Sequence, residues 1–311
     1  VLPRVSRPFN GVMCARALAQ PVAAYKPDVV LSYWLYPDAY GAMRVALRER
    51  LPFVAGARGS DLRVRDAVSR RLTRPVVRRA DRLLVVSADL ARLAVEAYGA
   101  HAERVRVIPN GCDASVFKRG DRAAARGALA LDATSRIVLY VGRLVPEKGL
   151  RELVQACEEV GGIHLAMLGS GALESWLRDE ASKKPWLHLL PPRTHTEIPD
   201  FLRCLDVFVL ASKPVRSMKL CWEEQFGHVL IEAMACGVAT LGARSGAIPE
   251  VLADDAALFP SGDATTLAQR LHEVKQGSDL ATRQLQRVRD LFTHDAVASR
   301  WAGFITSRLH A

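Results

Sequence analysis

The amino-acid sequence predicts an α/β protein of two domains, each built on a parallel sheet. Three observations carry that expectation. Short apolar runs that read as strands alternate with helix-period segments along most of the chain, the pattern of strand–helix–strand crossovers. The chain has 311 residues, 50% of them apolar, which is enough to bury two cores. Its segments richest in glycine and charge follow predicted strands, where ligands bind in open α/β sheets.

Taken in order, residues 28–34 (DVVLSYW) read as a buried strand, bounded by Pro27-Asp28 and then by polar and aromatic residues. A loop at 35–41 and a short helix at 42–50 follow. The strand at 52–57 ends in Arg58-Gly59-Ser60-Asp61, and basic helical sequence runs on to Ala80. Then come a strand at 82–86, a helix at 88–98 and a short strand at 105–108. Pro109-Asn110-Gly111-Cys112-Asp113 is a turn signal, and 113–131 reads as the connection into the second domain. Alternation resumes with strands at 137–141, 164–168, 187–190 and 207–210 and helices at 150–160, 172–182 and 198–202. After a helix ending near Cys236, a strand is expected at 239–241 and helices at 248–252, 264–275 and 292–309. The implied domains are 1–130 and 131–292, with 293–311 as a terminal helix.

The net charge of +10 is uneven: residues 1–130 carry 23 Lys and Arg against 11 Asp and Glu, and the remainder carries 20 against 22. The densest basic stretch, 63–82, could face anionic lipid headgroups or serve as a plain solvated helix face. It lacks aromatics to stack on bases, so nucleic acid is not an expected partner. No apolar run reaches the roughly 18 residues of a membrane span, and no leader-like segment opens the sequence. Six dispersed cysteines without metal-ligand spacing suggest reduced thiols and a cytoplasmic protein, with a peripheral place on the inner membrane through 63–82 as an extension.

Two stretches carry chemistry. In the first, Glu223-Glu224-Gln225-Phe226-Gly227 leads into His228-Val229-Leu230 and on to Glu232, stopping at Gly237, as a helix with a glycine at each end. The N–H groups of Gly227, His228, Val229 and Leu230 are expected to be free and to attract phosphate. Carboxylates repel phosphate but accept well from sugar hydroxyls, so the stretch reads as a nucleotide-sugar site. The plain alternative is an amphipathic helix with Glu232 in solvent. In the second stretch, Gly142-Arg143 and Lys148-Gly149 follow the strand at 137–141, where two cations could neutralise a diphosphate leaving group.

These two stretches, with Glu224 and Glu232 separated by seven residues and Ser245-Gly246-Ala247-Ile248-Pro249-Glu250 downstream, resemble the retaining nucleotide-sugar glycosyltransferases of family 4, the glycosyl transferases of group 1. The likeness runs over nearly the whole chain. It implies the GT-B architecture, two Rossmann-like domains with parallel sheets facing across a cleft, and the bacterial polysaccharide-building members are the nearest in pattern. Such a member would begin with a further strand and a glycine-rich loop, so the first domain is expected to be incomplete at its start. The terminal helix is expected to cross back to the first domain.

The resemblance assigns Arg143 and Lys148 to the donor phosphates, Glu224 to the hydroxyls of the donor sugar and Glu232 to the ribose. Gly227, His228, Val229 and Leu230 lie where the family's backbone meets phosphate and ribose, with Phe226 and Gly142 beside them. Gly169, after the strand at 164–168, is a candidate for the rim of the donor cleft. On the acceptor side, Arg58 and Asp61 stand where many members carry His-Gly-x-Asp. Arg58 cannot be a general base, and Asp61 is open to orienting it, accepting from an acceptor hydroxyl or forming a structural ion pair. Trp34, Tyr36 and Asp38 could shape the acceptor pocket, with core packing the competing expectation for Trp34. The implied activity is a retaining, metal-independent hexosyltransferase using a UDP- or GDP-sugar and a polysaccharide or lipid-linked glycan acceptor, with no cofactor. The alternatives are a sugar phosphorylase or synthase of the same architecture, and a non-catalytic nucleotide-sugar-binding protein.

Overall fold

A computed structural model describes residues 7–63, 66–128, 134–216, 221–274 and 279–309. The chain divides into two compact units, Val1–Pro109 with Val215–Gln225, and Asn110–Pro214 with Phe226–Ala311. The domain boundary expected at 130–131, and residues 64–65 of the basic stretch, lie outside the described residues.

The first unit opens with α1 (Arg7–Tyr25) and continues β1 (Val30–Tyr33), α2 (Tyr40–Glu49), β2 (Phe53–Ala57), α3 (Ala67–Arg79), β3 (Arg82–Val85), α4 (Ala88–Tyr98) and β4 (Val105–Val107). Its strands form a parallel sheet in the order β1-β2-β3-β4. The inner strand β2 is buried along its whole length, whereas β1, at one side, leaves Leu31 46% exposed. Helix α4 falls on its expected bounds because its ends are chemically marked. Ser87 Oγ accepts from Leu90 N at the start, and Gly99 takes the left-handed conformation (φ 73°) at the end.

Helix α1 is absent from the sequence reading, since Pro21 interrupts it and its apolar residues form no single stripe. Packing creates it. A Cβ on Gly41 would lie 2.7 Å from that of Cys14, and one on Gly11 would lie 2.5 Å from Tyr40 Cδ1. The two glycines let α1 and α2 approach closely, and that contact supplies the stability that propensity does not.

The second unit runs α5 (Arg122–Ala128), β5 (Arg136–Val141), α6 (Leu150–Val160), β6 (Ile163–Leu168), α7 (Glu174–Lys183), β7 (Leu187–Leu190), α8 (Ile198–Arg203) and β8 (Val207–Leu210). A short antiparallel ribbon, β9 (Val215–Arg216) and β10 (Cys221–Trp222), lies within the segment that belongs to the first unit. Then follow α9 (His228–Ala235), β11 (Ala239–Ala243), α10 (Ile248–Leu252), β12 (Leu258–Phe259), α11 (Ala264–Glu273), α12 (Asp279–Leu291) and α13 (His294–Leu309). The sheet is parallel, in the order β12-β11-β8-β5-β6-β7.

Residues 110–128 pack into this unit. Cys112 N donates to Phe292 O (2.8 Å), and Arg126, 2% exposed, donates to Cys204 O (2.9 Å) and to Asp206 (2.8 Å). The sequence reading passes over β9, β10 and β12, which are too short to show a period. It also misses α12, where the buried stripe of Leu280, Ala281 and Val288 includes Gln284. That side chain is 1% exposed because its amide pairs with both backbone groups of Thr240 (2.9 and 2.8 Å). Among the described residues no helix is long and apolar enough to cross a membrane.

Candidate functional site

In the second unit, the strands run outward in opposite orders from the β5–β8 pair, so the sheet's switch point lies between the C-terminal ends of those two strands. The two stretches singled out in the sequence meet there. The turn Pro146–Lys148 closes on Gly149 (φ 65°), whose added Cβ would stand 2.0 Å from Ala211 O, just past β8. Gly227 (φ 81°) precedes α9, and its added Cβ would stand 3.2 Å from Leu210 Cδ2, the last residue of β8. The turn after Lys148 and the entrance of α9 therefore touch consecutive residues at one strand end.

Arg143 projects from the same loop with its side chain 62% exposed, and its Nη2 lies 3.4 Å from Glu147 Oε1. Tyr140, fully buried in β5, donates its hydroxyl to Arg143 O (2.7 Å) and so ties the loop to the core. Gly142 and Gly169 are back to back: a Cβ on Gly169 (φ 151°) would sit 1.9 Å from Gly142 O. Gly169 also borders a cavity of about 400 Å³ with Glu174, Arg178, Leu189 and Pro191. Backbone contact as close as that at Gly149 leaves no room for a methyl group, and its φ strains any other residue. Gly149→Ala is expected to lower stability by about 1–3 kcal/mol and to weaken nucleotide binding, measured by denaturation and calorimetry. A variant that binds and unfolds like the parent would contradict this placement of the loop.

At α9 the structure corrects one expectation and removes one alternative. Leu230 N is not free, because it donates to Gly227 O at 2.9 Å. Glu232 does not face solvent; it is 7% exposed. Phe226 and Leu230 are buried at 4% and 0%, so any ligand they meet must be met through their backbone. Phe226 packs edge-on against His228 and Phe292, and the His228 ring lies 3.1 Å from Gly111 O. Val229 is half-buried. Glu232 Oε1 lies 2.9 Å from Nε2 of His195, whose ring packs against Phe117 at 5.0 Å. The sequence reading did not select His195 or Phe117, since neither belongs to a motif and each reaches the site from a distant loop.

Glu224 belongs to the first unit and is 8% exposed. Its neighbours anchor it there. Glu223 lies 3.1 Å from Arg63, which also pairs with Asp89, and the Gln225 amide, in the orientation that satisfies both groups, donates to Arg58 O (3.0 Å) and accepts from Ser60 N (2.9 Å). The Arg58–Asp61 turn is thereby brought beside the Glu224 segment. Asp61, 3% exposed, accepts from the N–H groups of Gly59 (2.8 Å), Arg58 (3.1 Å) and Leu35 (3.2 Å), so it orients Arg58 through the backbone. Burial pushes its carboxyl above the usual range, and those same bonds oppose the shift. The Arg58 guanidinium lies over the Tyr33 ring at 4.5 Å.

Trp34 is not a core residue. It is 41% exposed, with φ 71°. The predicted loop at 35–41 is instead a helical turn over Leu35–Ala39, broken at the extended Tyr36, and α2 begins at Tyr40. Tyr36 is turned inward at 7% exposure, stacks edge-on with Tyr40 and accepts from Gly11 N (3.4 Å), while Asp38 stays exposed.

Comparison with known proteins adds three findings. Residues 121–290 match the model of the glycosyl transferases group 1, and residues 1–116 match that of glycosyltransferase family 4. A D-inositol 3-phosphate glycosyltransferase of Mycobacterium tuberculosis is 32% identical over 212 residues, 66% of this chain but only 41% of that protein. Among solved structures, sucrose-phosphate synthase from Thermosynechococcus elongatus aligns with a TM-score of 0.81 at 21% identity, covering 100% of this chain and 81% of the other. HepE of Anabaena, solved in complex with UDP, aligns at 0.80 and 20% identity, covering 94% of this chain and 82% of its own.

Proposed function

Because this chain belongs to the glycosyl transferases of group 1, with the GT-B fold, we propose that it transfers a hexose from a nucleoside diphosphate sugar to a glycan or lipid-linked acceptor with retention at the anomeric carbon. The observation that carries this reading is the meeting of the Lys148-Gly149 turn and the Gly227 entrance of α9 on Leu210 and Ala211. A helix start and two cations at one sheet switch point suit a diphosphate.

In the reaction, the bond from the anomeric carbon to the diphosphate oxygen breaks and its electron pair leaves with the nucleotide. The acceptor oxygen forms the new bond on the same face, and its proton passes to the departing phosphate. Arg143 and Lys148 meet the charge that develops on that phosphate, where positioned cations act most strongly. Gly227, His228 and Val229 offer backbone N–H groups, Glu232 takes the ribose hydroxyls, and Glu224 takes those of the sugar. Arg58, set by Asp61, lies on the acceptor side. Nucleotide release from UDP- and GDP-sugars, with and without added glycan or polyprenyl-phosphate glycan, tests the proposal. Donor binding without turnover on any acceptor would point instead to a binding protein.

The acceptor side also suggests a membrane contact. A groove of about 290 Å³ between α2 and α3 is lined by Tyr40, Met43, Leu47 and Pro75 together with the arginines Arg44 and Arg79. Each arginine near an anionic surface contributes about 1 kcal/mol. Co-sedimentation is expected with phosphatidylglycerol vesicles and not with phosphatidylcholine vesicles, and Arg44→Glu/Arg79→Glu is expected to weaken it by at least about tenfold. Equal sedimentation with both lipids would rule out the charge-based contact.

A further inference from the structure

We propose that His195 is a positioning residue for Glu232, holding one carboxylate oxygen so that the other is presented to the hydroxyls of a nucleoside. The proposal rests on the reading of Glu232 as the ribose ligand. Glu232 lies within α9, and its side chain is 9% exposed, whereas that of His195 is 70% exposed. A carboxylate only accepts, so the 2.9 Å contact requires a hydrogen on His195 Nε2. The ring is the solvent-side partner of a buried acid, and it engages Oε1 alone among the contacts between the two side chains.

The surroundings leave this bond a specific task. Around the carboxylate lie the thiols of Cys112 and Cys236, both pushed up to about 12, chiefly by burial and further by the charge of Glu232. They remain protonated and are weak donors. The imidazole is the strong donor that can fix the orientation of the acid. Its own place is held from two sides: Phe117 packs against the ring at 5.0 Å, and the loop is pinned where Glu197 accepts from Thr194 N (2.9 Å) and Thr194 Oγ1 (2.6 Å). A carboxylate fixed through one oxygen presents the other in a defined direction before a ligand arrives, so less ordering remains to be done on binding.

The test is a calorimetric titration of UDP, GDP and ADP, and of their 2′,3′-dideoxy counterparts, into the parent chain, His195→Ala, His195→Gln and Glu232→Gln. For the nucleotide the parent binds most tightly, His195→Ala is expected to weaken binding about tenfold. Its effect on the dideoxy counterpart should stay within about twofold. His195→Gln, which keeps an N–H donor, should recover most of the loss. Because His195 is exposed, its variants should fold, and a matched thermal midpoint checks this. If His195→Ala weakens both ligands equally, the positioning role is overturned while the reading of Glu232 stands, provided Glu232→Gln still erases the preference for the natural sugar. If Glu232→Gln leaves that preference intact, the ribose reading itself fails and takes the proposal with it. Failure of all three nucleotides to bind the parent would overturn the donor site as a whole.

Discussion

Arg143→Ala and Lys148→Ala are each expected to lower kcat/KM for the nucleotide sugar by about 10²–10³-fold, the loss seen when one group that stabilises developing charge is removed. The structure separates this effect from stability. The pair between Arg143 and Glu147 is 3.4 Å long, and the arginine side chain is 62% exposed. Surface pairs of this kind contribute at most about 1 kcal/mol. The thermal midpoint should therefore move by no more than about 4 °C while turnover collapses. Arg143→Lys should recover part of the activity, because the charge remains and the planar fork is lost. In the double variant the two losses should fall short of their sum in free energy, since both cations would act on one diphosphate. Activity within about threefold of the parent in Arg143→Ala would remove this arginine from the reaction.

Asp206→Ala is expected to destabilise the second unit by about 3–5 kcal/mol, the cost of removing one partner from a buried ion pair. Asp206 accepts from Arg126 (2.8 Å) and from Ile137 N at the start of β5 (2.7 Å), and it also pairs with Arg122. It joins α5, which carries both arginines, to the central strand. Truncation would remove the Asp206 carboxylate from the Arg126 guanidinium, which is 2% exposed and also donates to Cys204 O. Replacing the Arg126–Asp206 pair with Met and Leu should cost less than the single truncation, because the more deeply buried of the two cations leaves with the acid and only the more exposed Arg122 loses its carboxylate. Urea unfolding followed by circular dichroism measures both variants. A loss below about 1 kcal/mol in Asp206→Ala would show that solvent reaches the arginine once the acid is gone.

The linear chain announces Arg143 and Lys148 but not Asp206. Arg143 and Lys148 stand in a glycine-bounded loop after an apolar strand, and that local signal is enough to select them. Asp206 carries no motif. Its partners lie at positions 122, 126 and 137, and only the fold brings them together. The same contrast runs through the candidate site. Gly149 closes one of the two candidate stretches and Gly227 opens the helix of the other, and both take positive φ values. The close approach to Ala211 O that makes glycine necessary at 149 belongs to another strand. The bond from Leu230 N to Gly227 O, which removes a donor from the expected anion site, follows from the tight first turn of α9.

Local periodicity and turn chemistry depend on neighbours in the chain, so they were readable from residue order: the parallel sheets, the strand-end loops and the cations and carboxylates placed near them. Long-range packing depends on which surfaces meet. It set the burial of Glu232 under His195, the anchoring of the Glu224 segment beside the Arg58 turn and the exposure of Trp34. A residue's own pattern tells which of its faces is apolar. It does not tell which distant group will lie against that face, because that is decided by the shape and hydrogen-bonding needs of the whole core.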